Sequence, residues 1–195
     1  MKAIREKSNN EIVYIGDDLV LDSEVGLYGN GFVANNITIA EYEFIEVDNV
    51  PVDYMGRHYT YTDGVWTATQ AKIDCDTEKL VEIKTQKFSQ LQIKKHTLRD
   101  AGFRVDVNGN SILFNSDINA RVAYNELALQ FQYNPAFTTF WKASDEAWLE
   151  MNLELYQTVI AAGKTHIENC FSWQAQKEQE INTATTVDEV NNIEI

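Results

Sequence analysis

The sequence predicts an α+β fold, because the spacing of its apolar residues changes along the chain. Apolar and polar residues alternate in the first third of the sequence, as they do in strands, and apolar residues recur every three or four positions after Asp74, as they do in helices. Two dipeptides that favour tight hairpin turns, Asp63-Gly64 and Asn108-Gly109, lie between short alternating runs. These observations predict a small β-rich N-terminal domain, a linker helix, and a C-terminal α+β domain of hairpins and two antiparallel helices. The predicted domain boundaries are residues 1–70, 71–102 and 103–195.

The β-rich domain is predicted from short runs of residues with strand character. Glu11–Ile15 and Leu19–Leu21 flank a Gly-Asp-Asp turn, and Ile37–Val47 mixes apolar side chains with glutamates. The alternation slips at Ala40–Tyr42, which predicts a β-bulge. The glycine-rich stretch Gly26–Gly31 is predicted to be a loop that uses positive φ angles.

A tight hairpin is predicted at Tyr59–Thr67, with its turn at Asp63-Gly64. Two-stranded hairpins present one face to solvent, so we expect the aromatic side chains of Tyr59, Tyr61 and Trp66 to be exposed. Tryptophan and tyrosine are residues that commonly anchor protein interfaces. These three residues are therefore predicted partner-binding residues.

A helix is predicted to begin at Asp76 as its N-cap and to end near Asp100, before Gly102. It carries only a thin apolar stripe, so we expect it to contact another copy of the chain or another protein. The stripe consists of Val81, Phe88, Leu91 and Leu98. The basic side chains Lys84, Lys87, Lys94, Lys95 and Arg99 are expected to face acidic surface on that partner.

The C-terminal domain is predicted to open with a hairpin over Phe103–Phe114 that turns at Asn108-Gly109. Ser116 or Asp117 then caps a helix that runs to about Tyr133, before Asn134-Pro135. This helix is apolar on two sides, which is typical of a helix buried between partners. One side carries Tyr124, Leu127 and Phe131, and the other carries Ile118, Val122 and Leu129.

A second, aromatic hairpin is predicted from Trp141 through Trp148, with these two residues facing each other across it. A long helix follows, with apolar residues alternately three and four positions apart. We expect its residues Ile160, Ile167 and Phe171 to pack against Phe114, Leu127 and Phe131. The stretch Thr185–Val190 predicts a capped last helical turn.

Composition and charge restrict the function classes. The 195 residues are 44% hydrophobic and have a net charge of −14, with most of the acidity at the two ends of the chain. An acidic surface repels phosphate backbones, so nucleic acid is not an expected partner. No apolar run approaches the ~20 residues that cross a bilayer, and the start MKAIREKSNNEIV has no apolar signal segment. With only two distant cysteines, Cys75 and Cys170, we expect a soluble protein of a reducing compartment and no membrane partner.

Patterns typical of catalysis or of cofactor binding are not found in the sequence. His166 and Cys170 lie four residues apart on one helix face, but a closed zinc site needs about four ligands, and Cys75, His58 and His96 have no suitable spacing. Asp17, Asp18, Asp22 and Glu24 could gather around calcium, although they lack EF-hand spacing. Asp145 and Glu146 are carboxylates of a predicted hairpin turn. The interpretation is a non-enzymatic protein without a metal or cofactor.

The segment Phe140–Gln179 resembles the C-terminal domain of a family of small bacteriophage proteins encoded beside tail-fibre genes. In that family, a tryptophan hairpin of the type W-x-x-x-D-x-x-W/V leads into a helix that ends in H-x-x-x-C-F. The matching positions here are Trp141, Asp145, Trp148, His166, Cys170 and Phe171. Residues 50–69 are also similar to an aromatic ending of tail-fibre assembly proteins. The sequence departs from the family pattern at Gly163, where an alanine-like residue is usual.

The resemblance implies a non-enzymatic tail protein that binds tail-fibre subunits or neighbouring tail or baseplate subunits. Such a protein is either an assembly chaperone in the host cytoplasm or a structural component retained in the virion tail. A homo-oligomer is a further expectation. The alternative is a phage-encoded metal-dependent hydrolase that acts on a host surface polymer. The predicted partner-binding residues are Tyr59, Tyr61, Trp66, Phe88, Leu91, Lys94 and Lys95.

Overall fold

The computed structural model describes residues 1–29, 32–143 and 147–195, which form two compact units, Met1–Lys79 and Leu80–Ile195. The fold class is α+β, as predicted: the described residues form twelve strands in small antiparallel sheets and four helices. The strands are β1 (Lys2–Glu6), β2 (Ile12–Ile15), β3 (Val20–Asp22), β4 (Gly26–Gly29), β5 (Phe32–Ala34), β6 (Tyr42–Glu46), β7 (Tyr59–Thr62), β8 (Val65–Ala68), β9 (Phe103–Val107), β10 (Asn110–Phe114), β11 (Thr139–Lys142) and β12 (Trp148–Met151). The helices are α1 (Gln70–Asp100), α2 (Ile118–Tyr133), α3 (Leu153–Thr183) and α4 (Val187–Asn191).

Strand β1 is the centre of the first unit. It lies between β2 and β6 in an antiparallel sheet, and both of its faces are buried. Ala3 packs into one apolar cluster and Ile4 into another, and neither residue has any exposed surface. A strand that is buried on both faces lacks the one-sided alternation that identifies strands in a sequence. The sequence pattern therefore predicts no strand here.

The run Ile37–Val47 is not one strand, and this prediction is wrong. Only Tyr42–Glu46 is extended, because the chain turns before it: the carbonyl of Thr38 accepts hydrogen bonds from the N–H groups three and four residues later, at 3.2 and 2.9 Å. The slip in alternation marks this turn and not a β-bulge.

The glycine-rich stretch is also not the predicted loop over its first four residues. Gly26–Gly29 forms strand β4, while Asn30 and Gly31 lie outside the described residues. Gly26 does have a positive φ of 90°, and a Cβ atom there would lie 2.7 Å from the carbonyl oxygen of Ala34. The two strands around the Gly-Asp-Asp turn do not pair with each other, since β2 joins β1 and β3 joins β4.

The hairpin β7–β8 is confirmed, with Asp63 and Gly64 at φ angles of 50° and 82°. Helix α1 begins earlier than predicted. The Thr69 hydroxyl accepts a hydrogen bond from the N–H of Lys72 at 3.4 Å, so Thr69 occupies the capping position. Asp76, the predicted N-cap, instead lies inside the helix, where its carboxylate pairs with Lys72.

In the second unit, the hairpin β9–β10 and its Asn108-Gly109 turn are confirmed. Asp117 is the N-cap of α2 and accepts a hydrogen bond from the N–H of Ala120 at 2.9 Å. Helix α4 begins with a capping box formed by Thr186 and Glu189, as expected for a capped last turn.

The core of the second unit is formed by β9, β10, α2, the end of β12 and the start of α3. Its buried residues are Phe103, Val105, Phe114, Ala120, Tyr124, Leu127, Phe131, Met151 and Val159. Ile160 packs against this core, as predicted, and Ile167 is half-buried. Phe171 is 56% exposed, so its predicted packing is wrong. Its neighbour Cys170 occupies the buried position on that turn of α3.

The end of helix α1 is held by two side chains from other elements. The Ser116 hydroxyl donates to the carbonyl oxygen of Arg99 and accepts from the N–H of Gly102 at 2.9 Å. Nε2 of His166 lies 3.0 Å from the same carbonyl oxygen, so this nitrogen donates the hydrogen. Gly102 has a φ of 87°, which fits the predicted helix stop.

The ring of Phe103 packs directly on the backbone of α3 at Gly163. It also stacks on Phe114, with ring centroids 6.2 Å apart. A Cβ atom at position 163 would lie 2.9 Å from Cζ of Phe103, which is closer than ordinary van der Waals contact. The absence of a side chain at position 163 thus makes room for the ring of Phe103.

We expect Gly163→Ala to lower the free energy of unfolding of the second unit by about 1 kcal/mol. Overpacking costs about 1–3 kcal/mol, and the better helix propensity of alanine offsets about 1 kcal/mol of it. In a Phe103→Leu background the crowding is relieved, so the same change should become stabilising. Denaturant unfolding of the four proteins tests this, and an equal loss in both backgrounds would contradict the packing explanation.

Leu91 is fully buried within the second unit, whereas Ile93 on the same helix is 67% exposed. We expect Leu91→Ala to lower the free energy of unfolding by about 2–5 kcal/mol, through lost transfer energy and a cavity. Ile93→Ala is the matched control and should change stability by no more than about 0.5 kcal/mol. Equal small effects in denaturant unfolding would show that Leu91 does not belong to the core of its own chain.

Candidate protein-interaction surfaces

The outer face of the hairpin β11–β12 exposes two large aromatic side chains. Phe140 is 75% exposed and Trp148 is 66% exposed. Trp141, the residue after Phe140, points to the other side of the hairpin and packs against the core of the second unit. The register pairs Phe140 with Glu150 and Lys142 with Trp148. The two aromatic residues are therefore diagonal neighbours on one face, at a separation that large side chains can bridge. We call this surface the hairpin face: Phe140, Lys142, Trp148 and Glu150.

The inner side of the hairpin fixes the hairpin face in position. Trp141 stacks on Tyr124 with ring centroids 5.1 Å apart, and Met151 is fully buried. Asn152 then caps α3 by accepting a hydrogen bond from the N–H of Leu155 at 2.9 Å. The prediction that Trp141 and Trp148 face each other is wrong, because Trp148 lies opposite Lys142 and successive strand residues point to opposite faces.

Tyr124 is the support beneath Trp141. Its hydroxyl donates to the carbonyl oxygen of Asn115 at 3.0 Å, and its own carbonyl accepts from the hydroxyl of Tyr156 at 3.1 Å. Burial raises the pKa of Tyr124 to about 12. The phenol therefore stays neutral over the physiological range and serves packing. Asp145 and Glu146, the carboxylates of the predicted turn, lie outside the described residues.

His166 and Cys170 both serve the packing of the second unit. His166 bonds to the carbonyl of Arg99, and its ring lies 5.9 Å from that of Phe103. Cys170 is buried, which raises the pKa of its thiol. Across residues 1–29, 32–143 and 147–195, no three His, Cys, Asp or Glu side chains are grouped to hold a metal ion.

The acidic cluster near β3 has a local structural role at Asp22. Its carboxylate accepts hydrogen bonds from the N–H groups of Glu24 and Val25, at 2.7 and 3.0 Å. These bonds hold the pKa of Asp22 below its usual range. Asp17 and Asp18 lie in the turn before β3.

The predicted partner-binding residues of the first unit form one aromatic cluster around Trp66. Tyr61 lies 4.8 Å from Trp66 between ring centroids, Tyr54 lies 6.1 Å away and Tyr59 lies 6.2 Å away. Tyr61 is buried, contrary to the prediction that it is exposed, and Tyr59 and Trp66 are half-buried. Tyr54, which contacts both Tyr59 and Trp66, is not among the residues predicted from the sequence.

The polar edges of this cluster bond within the first unit. The indole N–H of Trp66 donates to the carbonyl oxygen of Asp48 at 2.8 Å, and the Tyr61 hydroxyl donates to the Asp48 carboxylate at 2.8 Å. The Tyr59 hydroxyl donates to Asp53, also at 2.8 Å. The cluster therefore joins the hairpin β7–β8 to the loop before it.

The four predicted partner-binding residues of α1 differ in how far they are exposed to solvent. Leu91 is buried, Phe88 is half-buried and Lys94 is exposed. Lys95 is half-buried and donates to the side chain of Gln92 at 2.8 Å.

Two other lysines of α1 bond within the chain rather than to a partner. Lys84 donates to the carbonyl of Asn182 at 3.0 Å, and Lys87 donates to that of Asn191 at 3.4 Å. Both carbonyls lie near helix C-termini, where a positive charge is favourable.

Comparison with known families places most of the second unit in one of them. Residues 82–194 match the family described as a domain of unknown function, DUF4376. The chain belongs to this family. Neither the curated proteins nor the solved structures contain a significant match to the chain.

The DUF4376 domain contains the hairpin face and the whole of helices α2 and α3. Phe140 is not among the predicted partner-binding residues, because the aromatic residues of this hairpin are expected from the sequence to pack against the helix. The signal was present: strand alternation over Phe140, Trp141 and Lys142 requires the two neighbouring aromatic residues to point to opposite faces. In the described part of the chain, no helix is both long and apolar enough to cross a membrane.

The ion pair beneath the aromatic cluster predicts a pH effect. Asp53 accepts a hydrogen bond from Tyr59 and lies 3.0 Å from Nζ of Lys72, and these two partners hold its pKa below the ordinary value of 3.8. A carboxylate with a lowered pKa stabilises the fold above its unfolded pKa, and that stabilisation is lost as the pH falls through the folded pKa.

We therefore expect Asp53→Asn to be less stable than the unmodified chain at neutral pH, and the difference to vanish as the pH falls below about 3.8. Asp63→Asn is the control, because asparagine also suits the positive φ at this turn position. Denaturant midpoints measured across the pH range give the comparison. A difference that persists unchanged in acid would contradict the ionic explanation.

Proposed function

We propose that the chain is a non-enzymatic bacteriophage tail protein that binds a tail-fibre subunit or a neighbouring tail or baseplate subunit. It acts either as a chaperone of fibre assembly in the host cytoplasm or as a structural component retained in the virion. The binding surface in this proposal is the hairpin face of the DUF4376 domain.

The observation that carries the proposal is the exposure of Phe140 and Trp148 on one face of a firmly seated hairpin. Large aromatic side chains contribute much of the binding energy at protein interfaces, and they do so best when they are held rigidly. Glu150 lies directly opposite Phe140, so a charged group borders the aromatic pair. This arrangement resembles the apolar centre and polar rim of an interface.

The resemblance to the tail-fibre-associated family supports the same surface. Among its matching positions, Trp141, His166 and Cys170 hold the fold together by stacking, hydrogen bonding and burial. Trp148 and Phe171 are instead mostly exposed. Residues of the second kind are the ones that binding to a partner would explain.

Replacement of Phe140 and Trp148 by serine should weaken binding to the tail-fibre subunit of the same phage by at least about tenfold, since central aromatic anchors contribute about 2 kcal/mol or more. Co-purification of the full chain with a tagged fibre subunit, followed by titration, measures this. Val81→Ser is the control, because Val81 is an exposed apolar residue on α1. Circular dichroism should show an unchanged fold in both variants.

Unchanged binding by the double variant would remove the hairpin face from the proposal. Absence of any binding between the unmodified chain and every fibre, tail and baseplate subunit of the phage would overturn the proposed function. Mass spectrometry of purified particles then separates the two roles, since a retained component is present in the particle and a departing chaperone is absent.

A further inference from the structure

The aromatic pair of the hairpin face has a carboxylate beside it. Glu150 lies directly opposite Phe140 in the register of β11 and β12, and it is two residues from Trp148 along β12. Side chains two positions apart on a strand point to the same face, so Glu150 adjoins both aromatic side chains. The hairpin face therefore offers a partner an apolar surface and a negative charge at the same place.

Two further carboxylates lie beside Glu150, at the edge of the hairpin face. All three line one recess of about 440 Å³ between β12, the turn of the hairpin β9–β10 and the first turns of α3. We call these residues the acidic edge: Asp106, Glu150 and Glu154. Among the described residues, no lysine or arginine lines this recess.

The chain leaves the charge of the acidic edge uncompensated. In the part of the chain that the structure describes, neither Glu150 nor Glu154 has a cationic partner. Asp106 accepts a hydrogen bond from the N–H of Gly109 at 2.8 Å, which fixes its position without neutralising it. Helix α3 begins at this edge, but the partial charge of a helix N-terminus is only about half an elementary charge. The acidic edge is thus a local excess of negative charge.

The remaining charged residue of the hairpin face lies at its other end. Lys142 is opposite Trp148 and two residues beyond Phe140, on the side of the hairpin turn. Strand residues two positions apart are separated by about 7 Å along the strand. A basic group of a partner is therefore favoured at the Glu150 end and disfavoured beside Lys142. The two charges thus determine which way a bound segment lies on the aromatic pair.

Arginine is the side chain that suits both the aromatic pair and the acidic edge. Its planar guanidinium donates two parallel hydrogen bonds to a carboxylate and also stacks on aromatic rings. A guanidinium paired with Glu150 would lie beside the rings of Phe140 and Trp148, which adds a cation–π contact. Lysine would supply the charge, but its ammonium group has neither the paired donors nor the flat surface.

We propose that the hairpin face binds a protein segment that presents an arginine beside an apolar residue. The guanidinium lies between the aromatic pair and the acidic edge, and the apolar residue packs on the aromatic pair. The net charge of −14 attracts a basic segment at long range, and the acidic edge selects where its arginine is seated. This proposal rests on the proposed function in taking the hairpin face as the binding surface, and it adds the chemistry of the partner.

Nuclear magnetic resonance of the full chain tests the preference for arginine. The probe is the peptide N-acetyl-Leu-Arg-Leu-amide, and the matched peptide carries citrulline, an uncharged analogue of the same shape, in place of arginine. The indole N–H signal of Trp148, assigned by its loss in Trp148→Phe, reports binding. We expect this signal to shift with the arginine peptide, and the citrulline peptide to bind about five- to tenfold more weakly, since it lacks the ion pair and the cation–π contact.

Neutral variants of the acidic edge test where the arginine is seated. Glu150→Gln and Glu154→Gln preserve the size of the side chain and remove its charge. Together they should reduce the affinity for the arginine peptide to that for the citrulline peptide, which itself should not change. Glu126→Gln is the matched control, because Glu126 is an exposed carboxylate of α2 outside the acidic edge and its loss changes the net charge equally. Circular dichroism confirms that each variant is folded.

The arginine proposal is overturned if the Trp148 signal shifts with neither peptide or equally with both, or if the double variant binds the arginine peptide as well as the unmodified chain does. Co-purification of the same variants with the tail subunit separates this proposal from the proposed function. Subunit binding that the double variant retains in full would sustain the proposed function and overturn the arginine proposal. A chain that selects the arginine peptide but binds no fibre, tail or baseplate subunit would give the reverse result.

Discussion

The second unit depends on hydrogen bonds to a carbonyl group at the C-terminal end of helix α1. A helix leaves its last carbonyl groups without partners in the helix, and a buried helix end needs partners from elsewhere. The carbonyl of Arg99 receives hydrogen bonds from Ser116 at the start of α2 and from His166 in the middle of α3. One backbone oxygen therefore links α1 to α3 and to the start of α2. Phe103, three residues beyond the end of α1, packs against α3 at Gly163.

The charge of the chain limits which surfaces can associate. With a net charge of −14, two copies repel each other at long range, so contact between them requires local complementarity. The two lysines of α1 that bond to helix C-termini, Lys84 and Lys87, are used within the chain. The aromatic side chains of the hairpin face remain exposed in the second unit, as do Ile118, Val122 and Leu129 of α2. The surfaces suited to binding are therefore apolar with charged borders, and not broadly charged.

Local signals predicted the second unit well and the first unit less well. The Asn108-Gly109 turn, the Asp117 cap and the Gly102 stop each act over a few residues, and the structure contains all three. In the first unit, β1 has both faces buried, and its partner β6 is distant in the sequence, so neither local pattern nor turn chemistry reveals the pairing. The sequence predicted the hairpin β11–β12 but not which of its two faces is exposed. That depends on which side of the hairpin packs against α2, as Trp141 does on Tyr124.

The two cysteines differ in exposure, so the rate at which they are alkylated can report how often the second unit opens. Cys75 is exposed on α1, whereas Cys170 is buried and its pKa is raised. Alkylation proceeds through the thiolate, so a reagent at neutral pH modifies Cys75 directly and reaches Cys170 only when α3 separates from its neighbours. The rate at which a second label is incorporated therefore measures how often the second unit opens, without any substitution in the chain.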